Sequence, residues 1–458
     1  MGQEKISRKA LAAILSAALL SFVGILIETS MNVTFPTMIK EFHVTLGTIQ
    51  WITTAYLLTV ALVIVCSAYI KARYKERHIF ITSVCFFVIG TIVCGTAGSF
   101  VMLLIGRLIQ AIGTGLTLPL MFNIILEQAP KAVRGTYMGV GGMILALAPA
   151  FGPTFGGVVV YYLGWRWIFW IVLPLMIIAL FMGLNTITQV SETTKPQFDW
   201  LRLFILAVFF ISLTLGFNTV STLGWFNVRF DLFMVVAIIA VLAFVYTSNR
   251  THRMLVDISV FKIPAFSLSL TAYFIIQLTN IGGSFMLPNY AQLVDHSTSL
   301  ISGMILLPGS LVAGLMGPYF GHLLDTYGPK KPILTGNTIY TIALVGFALL
   351  SLHLSPLMIV ILYLVFSFGR SMAFENTLTN AINNVPRQHQ ADANAVLNTL
   401  QQFGGSIGTS IMASFMTSAA GKTEAVRTAA GTQNGFIFLV ILAFLNFVLY
   451  HYSFKLAK

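Results

Sequence analysis

Glu28 opens the stretch "ETSMNVTFP" (28–36), at the far end of an apolar run that begins near Leu11, and Arg107 stands in "GRLIQAIGTG" (106–115). A charged side chain at the centre of a spanning helix costs on the order of 3 kcal/mol on insertion scales, so such groups normally face a cavity or a partner. The chemistry open to such a carboxylate is protonation. Poor solvation raises a carboxyl's proton affinity and a nearby cation lowers it, so a movement that alters either one makes the group a switch. Glu28 lies eight residues before Pro36, about 12 Å below that end of its helix. Arg107 follows Phe100 by seven residues and enters from the same side. The depths match, and an approach of the two is geometrically open. Plainer readings stand beside these: a structural ion pair or snorkelling for Glu28, and helix packing with carbonyl contacts for Arg107. Glu375 is the other acid clearly within an apolar run. It is read either as a second titrating or cation-binding group or as a structural acid near the interface. Arg370 precedes it by five residues, which turns the two about 140° apart on a helix, so no local pair is expected.

The elements that must hold these groups follow from composition. Of the 458 residues, 57% are hydrophobic and only 9% charged, with a mean hydropathy of +0.87; soluble domains carry roughly 25% charged residues. The chain is read as an all-α membrane protein in the cell membrane, in contact with lipid. Its net charge of +12 does not point to nucleic acid, because the basic residues sit in short clusters between apolar blocks. Cys66, Cys85 and Cys94 are odd in number and lie in apolar segments, which gives no disulfide framework. The basic N-terminal tail and its apolar run of about 25 residues lack a small-residue cleavage pattern and are read as a retained span. No cofactor or metal is called for, and nothing suggests an enzyme. "AGKT" (420–423) imitates the end of a phosphate-binding loop, but Met416 stands where that loop needs glycine.

About 20 apolar residues cross the hydrocarbon as a helix. That criterion predicts fourteen spans, at 11–37, 48–70, 78–97, 100–127, 136–162, 167–188, 200–221, 230–247, 265–293, 301–324, 332–352, 356–380, 394–418 and 434–454. With both termini in the cytoplasm, cytoplasmic segments hold 19 of the 26 Lys and Arg, and the outer connections hold only Lys40, Arg166, Arg229, Lys422 and Arg427. That bias sets the orientation. A shift of 256 places Gly113 on Gly369, Pro130 on Pro386 and Gly152 on Gly408; a slightly smaller one places Pro36 on Pro288. The unit is six spans used twice. The expected organisation is an N-terminal six-helix bundle over 1–190, a linker with two inserted spans over 191–263, and a C-terminal six-helix bundle over 264–458. The repeat pairs Asn280 with Glu28, and Gln277 lies one turn earlier, giving the second half neutral hydrogen-bonding capacity.

Two six-helix bundles with a two-helix insertion resemble the fourteen-span drug:proton antiporters of the major facilitator superfamily, the EmrB/QacA group. "ETSMNVTFP" is similar to the first-span motif of Gram-positive, lincomycin-resistance-type members, and "IQWITTAYLL" (49–58) to the opening of their second span. "GRLIQAIGTG" resembles the fourth-span motif, with Ala111 replacing its first glycine, and "APAFGPTFGG" (148–157) resembles the fifth-span antiporter motif. "GMILLPGSLVAGLMGPYFGHLLDTYGPKK" (303–331) resembles the tenth span and its loop. The likeness implies a major facilitator fold and a proton-coupled multidrug efflux antiporter of a Gram-positive bacterium, acting as a monomer on lipophilic, often cationic compounds. It implies proton coupling through Glu28, Arg107 and Glu375. Substrate contacts would come from Glu28, Asn32, Trp51, Gln277, Asn280 and Glu375, and helix packing from Gly152, Pro153, Gly156 and Gly157. Gating loops would carry Arg73, Arg77, Asp325 and Gly328. The pattern breaks after the second span, where "AYIKARYKER" (68–77) has Ala72 at the family's aspartate. A dedicated exporter of an endogenous amphipathic metabolite or lipid is the alternative; an uncoupled channel or a transporter-like sensor fits less well.

Overall fold

The computed structural model describes residues 6–130, 134–189, 193–248, 255, 258–386 and 389–456. In chain order the helices are α1 (Arg8–Phe42), α2 (Leu46–Ile49), α3 (Trp51–Val65), α4 (Ser67–Arg73), α5 (Glu76–Gly95), α6 (Phe100–Gln128), α7 (Arg134–Tyr162), α8 (Trp167–Thr186) and α9 (Trp200–Leu223). They continue as α10 (Val228–Ser248), α11 (Pro264–Leu293), α12 (Ser299–Met304), α13 (Leu307–Leu315), α14 (Gly317–Tyr327), α15 (Lys330–Leu350), α16 (Pro356–Asn383), α17 (Gln390–Ser418) and α18 (Glu424–Leu456). Helix starts are fixed by short hydroxyl side chains: Ser7, Thr45, Ser99, Thr298 and Ser355 each accept a hydrogen bond from a first-turn backbone N–H. These caps satisfy donors that hydrocarbon could not.

Among the described residues, twelve helices are long and apolar enough to cross a membrane, α2 and α3 counting as one. A thirteenth span is assembled from α12–α14, which bends by 44°. Pro308 and Pro318, at the starts of α13 and α14, lack the N–H a continuous helix needs there. The remaining expected span, 394–418, lies in α17, a 29-residue helix that composition alone does not mark as membrane-spanning. Its Gln402, Ser406, Thr409, Ser410 and Ser414 are buried between α3, α9, α11 and α18, so protein rather than lipid solvates its polar face. α1 also runs further than expected. Pro36 sits inside it, and the helix continues to Phe42, which puts Glu28 about 21 Å from that end rather than about 12 Å.

The internal repeat recurs in the packing. A Cβ at Gly113 would meet Ser83 O at 2.6 Å, and one at Gly369, 256 residues on, would meet the Cβ of Ile339 at 2.7 Å. A Cβ at Gly152 would meet Leu26 O at 3.0 Å, and one at Gly408 would meet Leu278 O at 2.5 Å. Glycine at these points lets backbones approach where any side chain would hold them apart.

The two halves of the chain meet along a seam: α1 on α11, α3 on α17, and α7 on α12 and α13. Its hydrogen bonds cluster on the side away from the termini. Asn289 Nδ2 donates to Asn32 O at 3.2 Å, Gln292 Nε2 to Val33 O at 2.9 Å, Ser406 Oγ to Thr54 O at 3.0 Å and Thr154 Oγ1 to Gly303 O at 3.2 Å. Of the inserted helices, α9 lies on α17 through a Phe210–Phe403 stack at 3.9 Å, while α10 packs on α9 and is otherwise largely exposed.

Candidate functional site

Arg107 is wholly buried in α6, and its surroundings are built by three helices. Its Nε donates to Ile52 O at 3.2 Å, its Nη1 to Gln110 Oε1 at 2.6 Å, and its guanidinium lies 3.8 Å from the centre of the Tyr56 ring. Gln110 Nε2 in turn donates to Thr91 Oγ1 at 2.9 Å, and the Tyr56 hydroxyl sits 2.7 Å from Thr114 Oγ1. A carbonyl, an amide and an aromatic face solvate the cation in place of a carboxylate. Nη2 is left sealed without a partner.

Glu28 is 5% exposed on α1, and its Oε2 is buried with no hydrogen-bond partner. The ion pairs among the described residues are Lys71–Glu127, Arg166–Glu41 and Arg202–Asp199. Glu28 and Arg107 therefore do not form a salt bridge, although they lie within electrostatic reach of each other. The direct approach that the sequence leaves open is replaced by a looser pairing, because the guanidinium is occupied by Ile52, Gln110 and Tyr56. A carboxyl held this way can take a proton without breaking a local bond. Asn32, one turn along α1, is buried with Oδ1 unpartnered.

The remaining expected site residues are scattered more widely. Trp51 is half-buried at the start of α3. Gln277 is buried and Asn280 half-buried on α11. Glu375 is half-buried on α16, on the face that carries exposed Leu357, Ile361 and Leu364 nearer the other end of the helix. Among the described residues it has no salt bridge, as its helical angle to Arg370 led us to expect, although Arg370 lies within its electrostatic reach. Gly152 and Gly156 pack on Thr29, Leu26 and Ser30 of α1, whereas Gly157 meets Ser299 and Gly303, and Pro153 O faces Gly303. Arg73, Arg77 and Asp325 are exposed, with no ion pair among the described residues. Gly328 ends α14 with φ +71°, a conformation suited to glycine. The Ala72 carbonyl accepts from Thr194 N at 2.8 Å, and Lys71 pairs with Glu127 at 3.2 Å.

Sequence reasoning missed Tyr56, Gln110 and Thr91. Gln110 was findable, since it follows Arg107 by three residues and so shares its helical face. Tyr56 and Thr91 reach the site from other helices, and no local spacing marks them.

Comparison with known proteins gives a consistent picture. Residues 17–409 match the Major Facilitator Superfamily model. The lincomycin resistance protein LmrB of Bacillus subtilis is 34% identical over 96% of this chain and 95% of that protein. Its Listeria monocytogenes counterpart is 35% identical over 94% of each. A multidrug resistance protein B homolog of Mycobacterium tuberculosis is 29% identical over 88% of this chain and 75% of its own length. Among solved structures, a bacterial homolog of the human lysosomal transporter Spinster, inward-facing and unoccupied, superposes with a TM-score of 0.72 at 16% identity, covering 99% of this chain and 98% of that one.

Proposed function

Since the chain belongs to the Major Facilitator Superfamily, we propose that it is a proton-coupled antiporter that exports lipophilic, often cationic compounds by alternating access. One observation carries the reading: Glu28, buried with a carboxylate oxygen unpartnered, beside an arginine whose other contacts leave the acid free to titrate. Relatives named for lincomycin and multidrug resistance support the substrate class. The bundles over 1–190 and 264–458 act as the two moving bodies. The seam's hydrogen bonds lie away from the termini, and cytoplasmic termini, as the basic-residue bias argues, make this an inward-facing state. Arg73, Arg77 and Asp325 on the terminus side, without an ion pair among the described residues, fit a released latch.

The test is transport by purified protein in proteoliposomes. Substrate should accumulate uphill when a proton gradient is imposed and stop when an ionophore collapses it. Uphill accumulation that persists without the gradient would end the proton-coupled reading. Orientation has its own test, with the native cysteines first replaced. Cysteine at Ser99 or Thr423, both exposed, is expected to react with an impermeant thiol reagent in intact cells, and cysteine at exposed Thr194 only after permeabilisation. Labelling of Thr194→Cys in intact cells would reverse the assignment.

Arg107 gives a third expectation. Arg107→Ala leaves the Ile52 carbonyl and Gln110 Oε1 without their donor and removes the cation near Glu28. Uphill efflux should fall at least tenfold at normal membrane abundance. Arg107→Lys keeps the charge but not the fork, so it should retain part of the activity with a displaced pH optimum. Full activity of Arg107→Ala at every pH would remove this residue from the coupling.

A further inference from the structure

We infer that Arg370 is a second substrate anchor, a site for a carboxylate or similar oxyanion, so that the exporter favours amphipaths bearing an anionic group, zwitterions above simple cations. The inference rests on the proposed export function and adds the chemical class that the C-terminal half recognises.

Arg370 stands midway along α16, fourteen residues after Pro356 and thirteen before Asn383. A guanidinium at that depth is expensive unless it is paired. Yet among the described residues it makes no hydrogen bond and no ion pair; Nε is buried without a partner, and the side chain as a whole is only half-buried. Its ring contact is Phe374, with the guanidinium carbon 5.8 Å from the centroid. Phe374 stacks on Tyr273 at 4.4 Å and 17°, and the Tyr273 hydroxyl donates to Gln401 Oε1 at 2.8 Å. Both rings are buried, so they prop the guanidinium and leave its outer Nη donors to be met by something outside the protein. The Gln401 carboxamide, its oxygen taken by Tyr273, adds an N–H donor pair near the same shelf.

The contrast with Arg107 decides the argument. There a carbonyl, an amide and a ring at 3.8 Å solvate the cation; Arg370 has a distant ring and no acceptor. Glu375 lies within electrostatic reach, but no salt bridge forms, so it lowers the field without occupying the donors. A planar fork of free N–H groups fits a carboxylate bidentately. Glu28 stands on α1 of the other half, so a zwitterion long enough to reach both would find a partner for each of its charges.

The experiment measures equilibrium binding to the full chain in lipid nanodiscs, without a pH gradient. Three probes share one naphthyl-alkyl scaffold and end in a carboxylate, a trimethylammonium or both. The wild type should bind the carboxylate and zwitterionic probes at least tenfold tighter than Arg370→Gln does, and both proteins should bind the ammonium probe alike. Arg370→Lys should fall between, since it keeps charge without the fork. Equal carboxylate binding by wild type and Arg370→Gln overturns the inference, as does an equal loss for all three probes, which marks a structural role. If Arg370→Gln does not yield folded protein, the wild type decides alone: an ammonium probe bound tighter than the zwitterion overturns it. Loss of uphill transport with these binding preferences intact would refute proton-coupled export and leave the anion site standing.

Discussion

Glu28→Gln should abolish uphill efflux while leaving a folded, membrane-inserted protein. Glutamine keeps the volume and most of the hydrogen bonding of the acid and fixes it neutral, which imitates the protonated state. The wild-type carboxylate is buried with an unpartnered oxygen and makes no salt bridge with Arg107, so neutralising it breaks no direct ion pair, and thermal stability should hold. The functional loss should be large. A gradient of two pH units holds about 2.7 kcal/mol per proton, enough at one-for-one exchange to sustain roughly a hundredfold substrate gradient. Without a titrating group that ratio should collapse to about one, while downhill exchange of substrate for substrate continues. Substrate-induced proton release should vanish with it. Glu28→Asp should keep partial function with a shifted pH profile, because the carboxyl is retained but withdrawn by one methylene. Vesicle efflux under an imposed gradient, together with proton release in weakly buffered solution, checks all three. Wild-type proton release by Glu28→Gln would sink the assignment and direct attention to Glu375.

The spans and the repeat were readable because hydrocarbon imposes length and apolarity on every lipid-facing helix. The span at 394–418 is met by α17, although hydropathy is a weaker guide where protein, not lipid, is the solvent. α17 carries Gln, Ser and Thr through its length because α3, α9, α11 and α18 enclose it, so its hydropathy understates its depth. Pro36 looked like a helix end, but a proline costs one backbone bond, and α1 continues past it to Phe42. Glu28 and Arg107 were legible as buried charges for the reason that made them costly. Their relation was not: the partners that occupy Arg107 come from α3 and from its own helix, and sequence depth cannot show which of several neighbours a guanidinium meets. Arg370 was visible as a second intramembrane cation, whereas its lack of an acceptor is a tertiary fact.

The fifth-span glycines separate two kinds of packing, and that separation yields a prediction about conformational change. A Cβ at Gly156 would meet Ser30 O at 2.7 Å, inside the N-terminal half, so leucine there should cost folded protein. A Cβ at Gly157 would instead meet Ser299 O at 2.5 Å and the Cα of Gly303 at 3.0 Å, and a Cβ at Gly303 would run into Pro153 O. These contacts join α7 to α12 across the seam. The opposing atoms are backbone and cannot swing aside, so a side chain there forces the helices apart. Overpacking costs about 1–3 kcal/mol, here charged to the closed seam alone, which should shift the closed-to-open ratio by roughly tenfold to a hundredfold. Gly157→Leu and Gly303→Leu should therefore be abundant and stable but transport poorly. A reporter is available in the Thr54 and Ser410 hydroxyl oxygens, 3.4 Å apart across the same seam. A Thr54→Cys, Ser410→Cys pair should cross-link readily on the otherwise wild-type background and several-fold less with Gly157→Leu added. Unchanged cross-linking with wild-type efflux in Gly157→Leu would show that this contact does not govern closure.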